Sequence, residues 1–108
     1  MPWTVETLGA IVDAEIAALP ADMQAAFLRL AERIESQGLE RMGHPHVKHL
    51  QGKLWEMRFS GRDGIARAIY VTAIGRRVLV VHAFVKKGQK APKAALDLAE
   101  RRAKEIKP

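Results

Sequence analysis

The chain has 108 residues, 48% hydrophobic and 28% charged, which fits one folded domain and excludes a disordered tract. It contains no cysteine, so a disulfide framework, a thiolate metal site and a cysteine nucleophile are all excluded. The net charge of +6 is unevenly spread: residues 1–40 carry seven acidic and two basic side chains (net −5), while residues 41–96 carry twelve basic and two acidic (net +10).

That separation reads as an acidic scaffold joined to one cationic face, and such a face favours phosphate backbones by electrostatics alone. No apolar run approaches the roughly 18–20 residues that span a bilayer, and "MPWTVETLGA" lacks the basic and apolar segments of a secretory signal. The expectation is a cytoplasmic protein with no membrane contact.

In chain order, "PWTVET" is short and β-prone and predicts an edge strand. From Leu8 the apolar residues Leu8, Ile11, Val12, Ile16 and Leu19 recur at helical spacing. Pro20 suits the first position of a second helix, along which Met23, Phe27, Leu30 and Ile34 mark one face. Gly38 is a natural helix stop. The short turn between the two helices predicts an antiparallel helical hairpin.

"GLERMGHPHVKHLQG" reads as a Gly- and His-rich connector, after which the period becomes two. In "KLWEMRFS", Trp55, Met57 and Phe59 are expected on one face, with Leu54, Glu56, Arg58 and Ser60 on the other. "GRDG" and "IGRR" are turns that join "IARAIYVTA" and "VLVVHAFV" into an antiparallel meander. Pro92 opens a last helix with Leu96, Ala99, Ala103 and Ile106 as its stripe. The predicted class is α+β: a single domain over 1–108, with an N-terminal helical hairpin packed on a small twisted antiparallel sheet and a C-terminal helix.

Few groups suit covalent or metal chemistry. His44, His46 and His49 cluster in "HPHVKH", but no cysteine or carboxylate accompanies them there, so a polar loop is the better reading than a metal site. No Gly-rich phosphate loop precedes a helix, and Ser36 and Ser60 sit in no nucleophile-like context. The basic half has only Glu56 and Asp63 as acids, too few to hold two metals.

Cations on strands remain. Arg58 faces away from the expected core, as a partner for Glu56 or as a ligand contact. Arg67 shares a strand face with Ile65, Ile69 and Val71, where a lone arginine is either paired or aimed at a ligand. Tyr70 lies on the opposite face, so only twist or a bulge could bring it to Arg67. His82 reads as a satisfied sheet histidine. Lys86 and Lys87 end the last strand, and at most one of the two neighbours should face a site.

"LQGKLWEMRF", "ARAIYV" and "VVHAFVKKGQKAPKAALDLAERR" together resemble the RelE superfamily of bacterial toxins, most of all its HigB-like, phage-derived branch. The resemblance covers residues 47–104 and extends loosely to the N-terminal hairpin. It implies the toxin of a type II toxin–antitoxin system, a ribosome-dependent messenger-RNA endoribonuclease. The antitoxin would be a cognate protein, of helix-turn-helix type.

The implied chemistry is attack of a 2′-hydroxyl on the adjacent phosphate, without metal or other cofactor. It implies Arg58 and Arg67 as phosphate clamps, Lys86 or Lys87 as transition-state stabiliser, and Tyr70 for orientation or proton transfer. Lys48, Lys53, Arg62 and Lys90 are expected to hold RNA. A catalytic lysine needs its pKa lowered by neighbouring cations, and the general base stays open. Two alternatives stay open as well: a ParE-like inhibitor of DNA gyrase, and a non-catalytic nucleic-acid-binding module.

Overall fold

Alternation of apolar and polar residues from Val47 to Val85 builds four consecutive antiparallel strands: β2 (Val47–Gln51), β3 (Leu54–Gly61), β4 (Gly64–Ala73) and β5 (Arg77–Val85). They belong to a computed structural model that describes residues 2–43, 46–86 and 92–106. β1 (Thr4–Thr7) is the expected edge strand, but it runs parallel to β5, so the sheet is mixed rather than wholly antiparallel, in the order β1-β5-β4-β3-β2. The parallel pairing follows from the connection: the chain leaves β1 into two helices and re-enters the sheet at its far edge.

Those helices are α1 (Ala10–Ala17) and α2 (Ala21–Gln37). Pro20 sits one position before α2 rather than inside it, with an extended ψ of 147°. Gly38 ends α2 at φ +95°, a left-handed conformation that glycine adopts without a Cβ clash. Ile11, expected on the buried stripe, is 67% exposed; of α1 only Val12 is fully buried.

The expected connector also contains a strand. A single 3-10 turn, Leu39–Arg41, leads to β2, which pairs with β3 and places Val47 and Leu50 on opposite sides of the sheet.

Apolar side chains cover both faces. On one, Met23, Phe27, Leu30 and Ile34 of α2 pack on Met57, Phe59, Tyr70 and Val80. On the other, α3 (Lys93–Ala103) lays Ala95 and Ala99 on Leu54, Ile69, Leu79 and Val81. The core is thus two layers with the sheet between them.

Trp55 keeps the expected face, paired with Tyr70, but lies at its margin: it is 39% exposed and meets His49 edge-on, ring centres 4.9 Å apart. A register shift sets Ile69 opposite His82 but Tyr70 opposite Val80, leaving Val81 as the extra residue of a bulge in β5.

Two contacts fix α2 against the sheet. Phe27 and Phe59 meet with ring centres 5.5 Å apart. At Gly61 an added Cβ would lie 2.7 Å from the Met23 side chain and 2.8 Å from the Asp22 carboxylate, so a side chain there would have to displace both.

Candidate phosphate-binding site

Strand register builds the site as a grid on the face that carries α3. Lys48, Glu56, Ile69 and His82 lie across one row from β2 to β5. Arg58, Arg67 and Phe84 form the next. In the third, the backbone N–H of Lys86 donates to the Ile65 carbonyl at 2.7 Å, beside Ser60. Toward the other ends of these strands, α3 covers the face with apolar contacts; the grid carries the charges.

Glu56 organises this cluster from the inside. It is fully buried, and its two oxygens are divided: Oε2 accepts from Arg58 Nε at 2.7 Å, and Oε1 lies 3.3 Å from Arg67 Nη1. A buried carboxylate is tolerable only when charges of opposite sign hold it, and here two do. The pairing also explains how two arginines can stand directly opposite each other on adjacent strands, an arrangement that is otherwise repulsive.

The arginines differ in access. Arg58 keeps 23% of its side chain exposed, whereas Arg67 keeps 1%. Burial pulls the Arg67 guanidinium below its ordinary value, the Glu56 charge opposes this and Arg58 adds to it. Lys86 feels the same field. Desolvation first, then the charges of Arg67 and Arg58, hold its ammonium below the usual lysine value; Glu56 opposes and Lys48 adds a smaller push. The condition that sequence reasoning set for a catalytic lysine, neighbouring cations, is met at Lys86.

The structure therefore brings together Arg58, Arg67, Lys86 and Lys48. It does not bring in Tyr70, which is buried in the α2-side core, on the opposite face from Arg67, because the bulge lies in β5 and leaves the alternation of β4 intact. Burial pushes the Tyr70 phenol well above its ordinary pKa. Lys53 sits at the β2–β3 turn beside Ala103 and Ile106 of the C-terminal segment, at the far end of β3 from Arg58. Arg62 lies in the β3–β4 turn, its backbone N–H bonded to Asp22. Lys87 and Lys90 lie outside the described residues, as does His44.

His82 is satisfied: its Nδ1 meets Glu15 at 2.9 Å, and the same carboxylate pairs with Arg102 at 2.8 Å. His49 bonds the Gly52 carbonyl through Nε2 at 2.9 Å. Among the described residues no three acids or histidines converge as a metal set.

Sequence reasoning underrated Glu56, weighed only as a partner for Arg58. It also missed Arg29, Arg33 and His46, which line a groove ending at Arg58. The available signal was that Arg29 and Arg33 are the only basic residues among the first forty and stand one helical turn apart.

The fold has a known counterpart. It is similar to the archaeal RelE–RelB complex from Pyrococcus horikoshii OT3, with a TM-score of 0.56 and 21% identity over 79% of this chain and 96% of that one. The fold is thus RelE-like α+β. No curated protein matches the chain. The chain belongs to the family of phage-derived Gp49-like proteins, which matches residues 14–104 and is of the RelE toxin type. No helix among the described residues is long and apolar enough to cross a membrane.

Proposed function

We propose that this protein is the toxin of a toxin–antitoxin pair and that it cuts messenger RNA engaged on the ribosome. The observation that carries the reading is the convergence of Arg58, Lys86 and Lys48 on one sheet face, with Arg67 and a buried Glu56 beneath. Family membership supports the toxin, and the solved relative's complex with RelB supports a protein antitoxin.

In the proposed reaction the ribose 2′-hydroxyl gives its proton to solvent water as its oxygen attacks the adjacent phosphorus. The bond to the 5′-oxygen breaks, leaving a 2′,3′-cyclic phosphate and a 5′-hydroxyl. Negative charge accumulates on the non-bridging oxygens, and preorganised cations stabilise it most where water is displaced. Arg58 meets that need, since Glu56 fixes its guanidinium while part of it stays exposed.

Lys86, with its lowered pKa, gives up a proton more readily than an ordinary lysine and serves as donor to the leaving 5′-oxygen. Arg67, nearly fully buried, acts as a positioning residue: it shares Glu56 with Arg58 and adds positive field. Its role as a direct clamp, expected from sequence, gives way to this one. Glu56 is engaged by two arginines, which leaves charge stabilisation to the cations.

The test is 5′-end mapping of a message held in pre-assembled ribosome complexes. Wild-type protein should cut only the engaged message. Arg58→Ala should fold, bind the antitoxin and cut about 10²–10³-fold more slowly. Cutting of naked RNA that stops on chelation, or Arg58→Ala cutting at the wild-type rate, overturns the mechanism.

A further inference from the structure

From the site one passage leads away over the opposite side of β3. It is a groove of about 510 Å³ between α2 and the ends of β3 and β4, and Arg58 forms its inner wall. Ala26, Arg29, Leu30 and Arg33 follow one stripe of α2, with Ala26 providing the space that a larger side chain would fill. Leu30, Phe59 and Ile65 make an apolar floor, while Arg29, Arg33, His46 and Arg58 supply the polar rim. Among the described residues no carboxylate lines it.

The two α2 arginines are exposed and make no ion pair within the described residues, in contrast to Arg58, Arg77 and Arg102, each held by a glutamate. Like charges one turn apart on a helix destabilise it slightly. An otherwise acidic segment thus carries an unfavourable pair where it faces the site, and an anion bound there would remove the penalty. The volume lies within the range of small-molecule sites. Cationic rim over apolar floor is the chemistry of a nucleotide: phosphate on arginine, base on the floor.

We infer that this groove is a subsite for a single-stranded RNA nucleotide flanking the phosphate held by Arg58, with Arg29 and Arg33 gripping its phosphodiester. The inference rests on the RNA-directed reading above but not on cleavage.

The probe is a fluorescein-labelled, fully 2′-O-methylated oligoribonucleotide, which cannot be cut, followed by anisotropy from 50 to 200 mM salt. Arg29→Ala/Arg33→Ala keeps good helix formers on an exposed face, so folding should be unchanged. It should weaken binding about tenfold at low salt, and the slope of log affinity against log salt should shrink by about 1.4, two contacts on a single strand. Arg29→Lys/Arg33→Lys should recover most of that slope, and Lys104→Ala, exposed at the end of α3 and away from the groove, should match wild type.

Unchanged affinity and slope in the double alanine variant overturn the subsite. So does a wild-type protein that fails to bind the oligomer, or a loss confined to an A-form RNA duplex, which would point to folded ribosomal RNA instead. If these binding results hold while ribosomal cleavage is absent, the subsite stands and only the endonuclease reading falls.

Discussion

Replacing Glu56 with glutamine isolates the cluster's organising charge at almost constant volume. The carboxylate is fully buried, 2.7 Å from Arg58 and 3.3 Å from Arg67. In the variant two guanidiniums, one of them buried, face each other across a neutral amide. Breaking a buried pair by removing one partner costs about 3–5 kcal/mol, because the remaining charge stays desolvated without compensation.

Against the roughly 5–15 kcal/mol that holds a domain of this size, such a loss is a large fraction. It should lower the melting temperature by about 15–25 °C. Arg67→Met leaves Glu56 with Arg58, so its cost is smaller, about 1–3 kcal/mol for the oxygen left unmet. Combining the two removes the buried pair altogether, and replacement of a buried pair by uncharged groups is often neutral. The double variant should therefore be more stable than Glu56→Gln alone.

Urea denaturation with a constant slope m measures each step, and the cycle gives the coupling. A Glu56→Gln cost below about 1 kcal/mol, or a double variant no more stable than Glu56→Gln, refutes the claim that this carboxylate holds the arginines.

Lys48→Met should raise the Lys86 pKa, because a neighbouring cation that disfavours the ammonium has gone; titration of the Lys86 side chain by NMR checks the sign, and a fall would contradict the shared field. At Glu15 burial alone would raise the pKa, but bonds from His82, the Ala83 N–H and Arg102 together outweigh it and hold the carboxyl below its ordinary value. A lowered folded-state pKa contributes stability above the unfolded value that is lost as pH falls through the folded one. Glu15→Gln should thus be less stable than wild type near neutrality, and in urea melts the gap should narrow as pH falls through the acidic range; a gap that stays constant from neutrality into acid would count against the assignment.

Local signals were legible from sequence and non-local ones were not. The helical hairpin, Gly38 as stop and the β3–β4–β5 meander depend on periodicity and turn residues a few positions apart, so a single sequence carries them. β2 was hidden because "VKHLQ" offers just two apolar residues, and they serve opposite faces. The parallel pairing of β1 with β5 joins residues more than seventy positions apart and leaves no mark in either segment.

Within the site, Arg58 and Lys86 were found through the strand pattern and the resemblance. That Arg67 is buried against Glu56 depends on register, which sets Arg58 opposite Arg67 and Glu56 opposite Ile69. Tyr70 was misplaced in function for the converse reason. Its role came from the resemblance, although its odd separation from Arg67 along a regular strand already set the two on opposite faces.

The division of labour on the sheet follows from what each half of its face can hold. Under α3 the strands bury leucine, valine and alanine, and the sheet is held by contacts that need no ligand. The rows beyond it concentrate Arg58, Arg67, Lys86 and Lys48 around a single acid, so like charges are kept together by the surrounding fold. Desolvation first, and then the charges of Arg67 and Arg58, hold the Lys86 pKa below its ordinary value.

In the proposed reaction an arriving phosphodiester would relieve part of the repulsion among these cations, and the phosphorane formed during attack, with more negative charge, would relieve more. Cations placed in advance therefore gain more in the transition state than in the ground state, which is the condition for catalysis rather than tight binding. On the proposed reading, Arg29 and Arg33 would hold the strand equally before and during attack, so α2 would supply binding strength while β3 and β5 would supply rate.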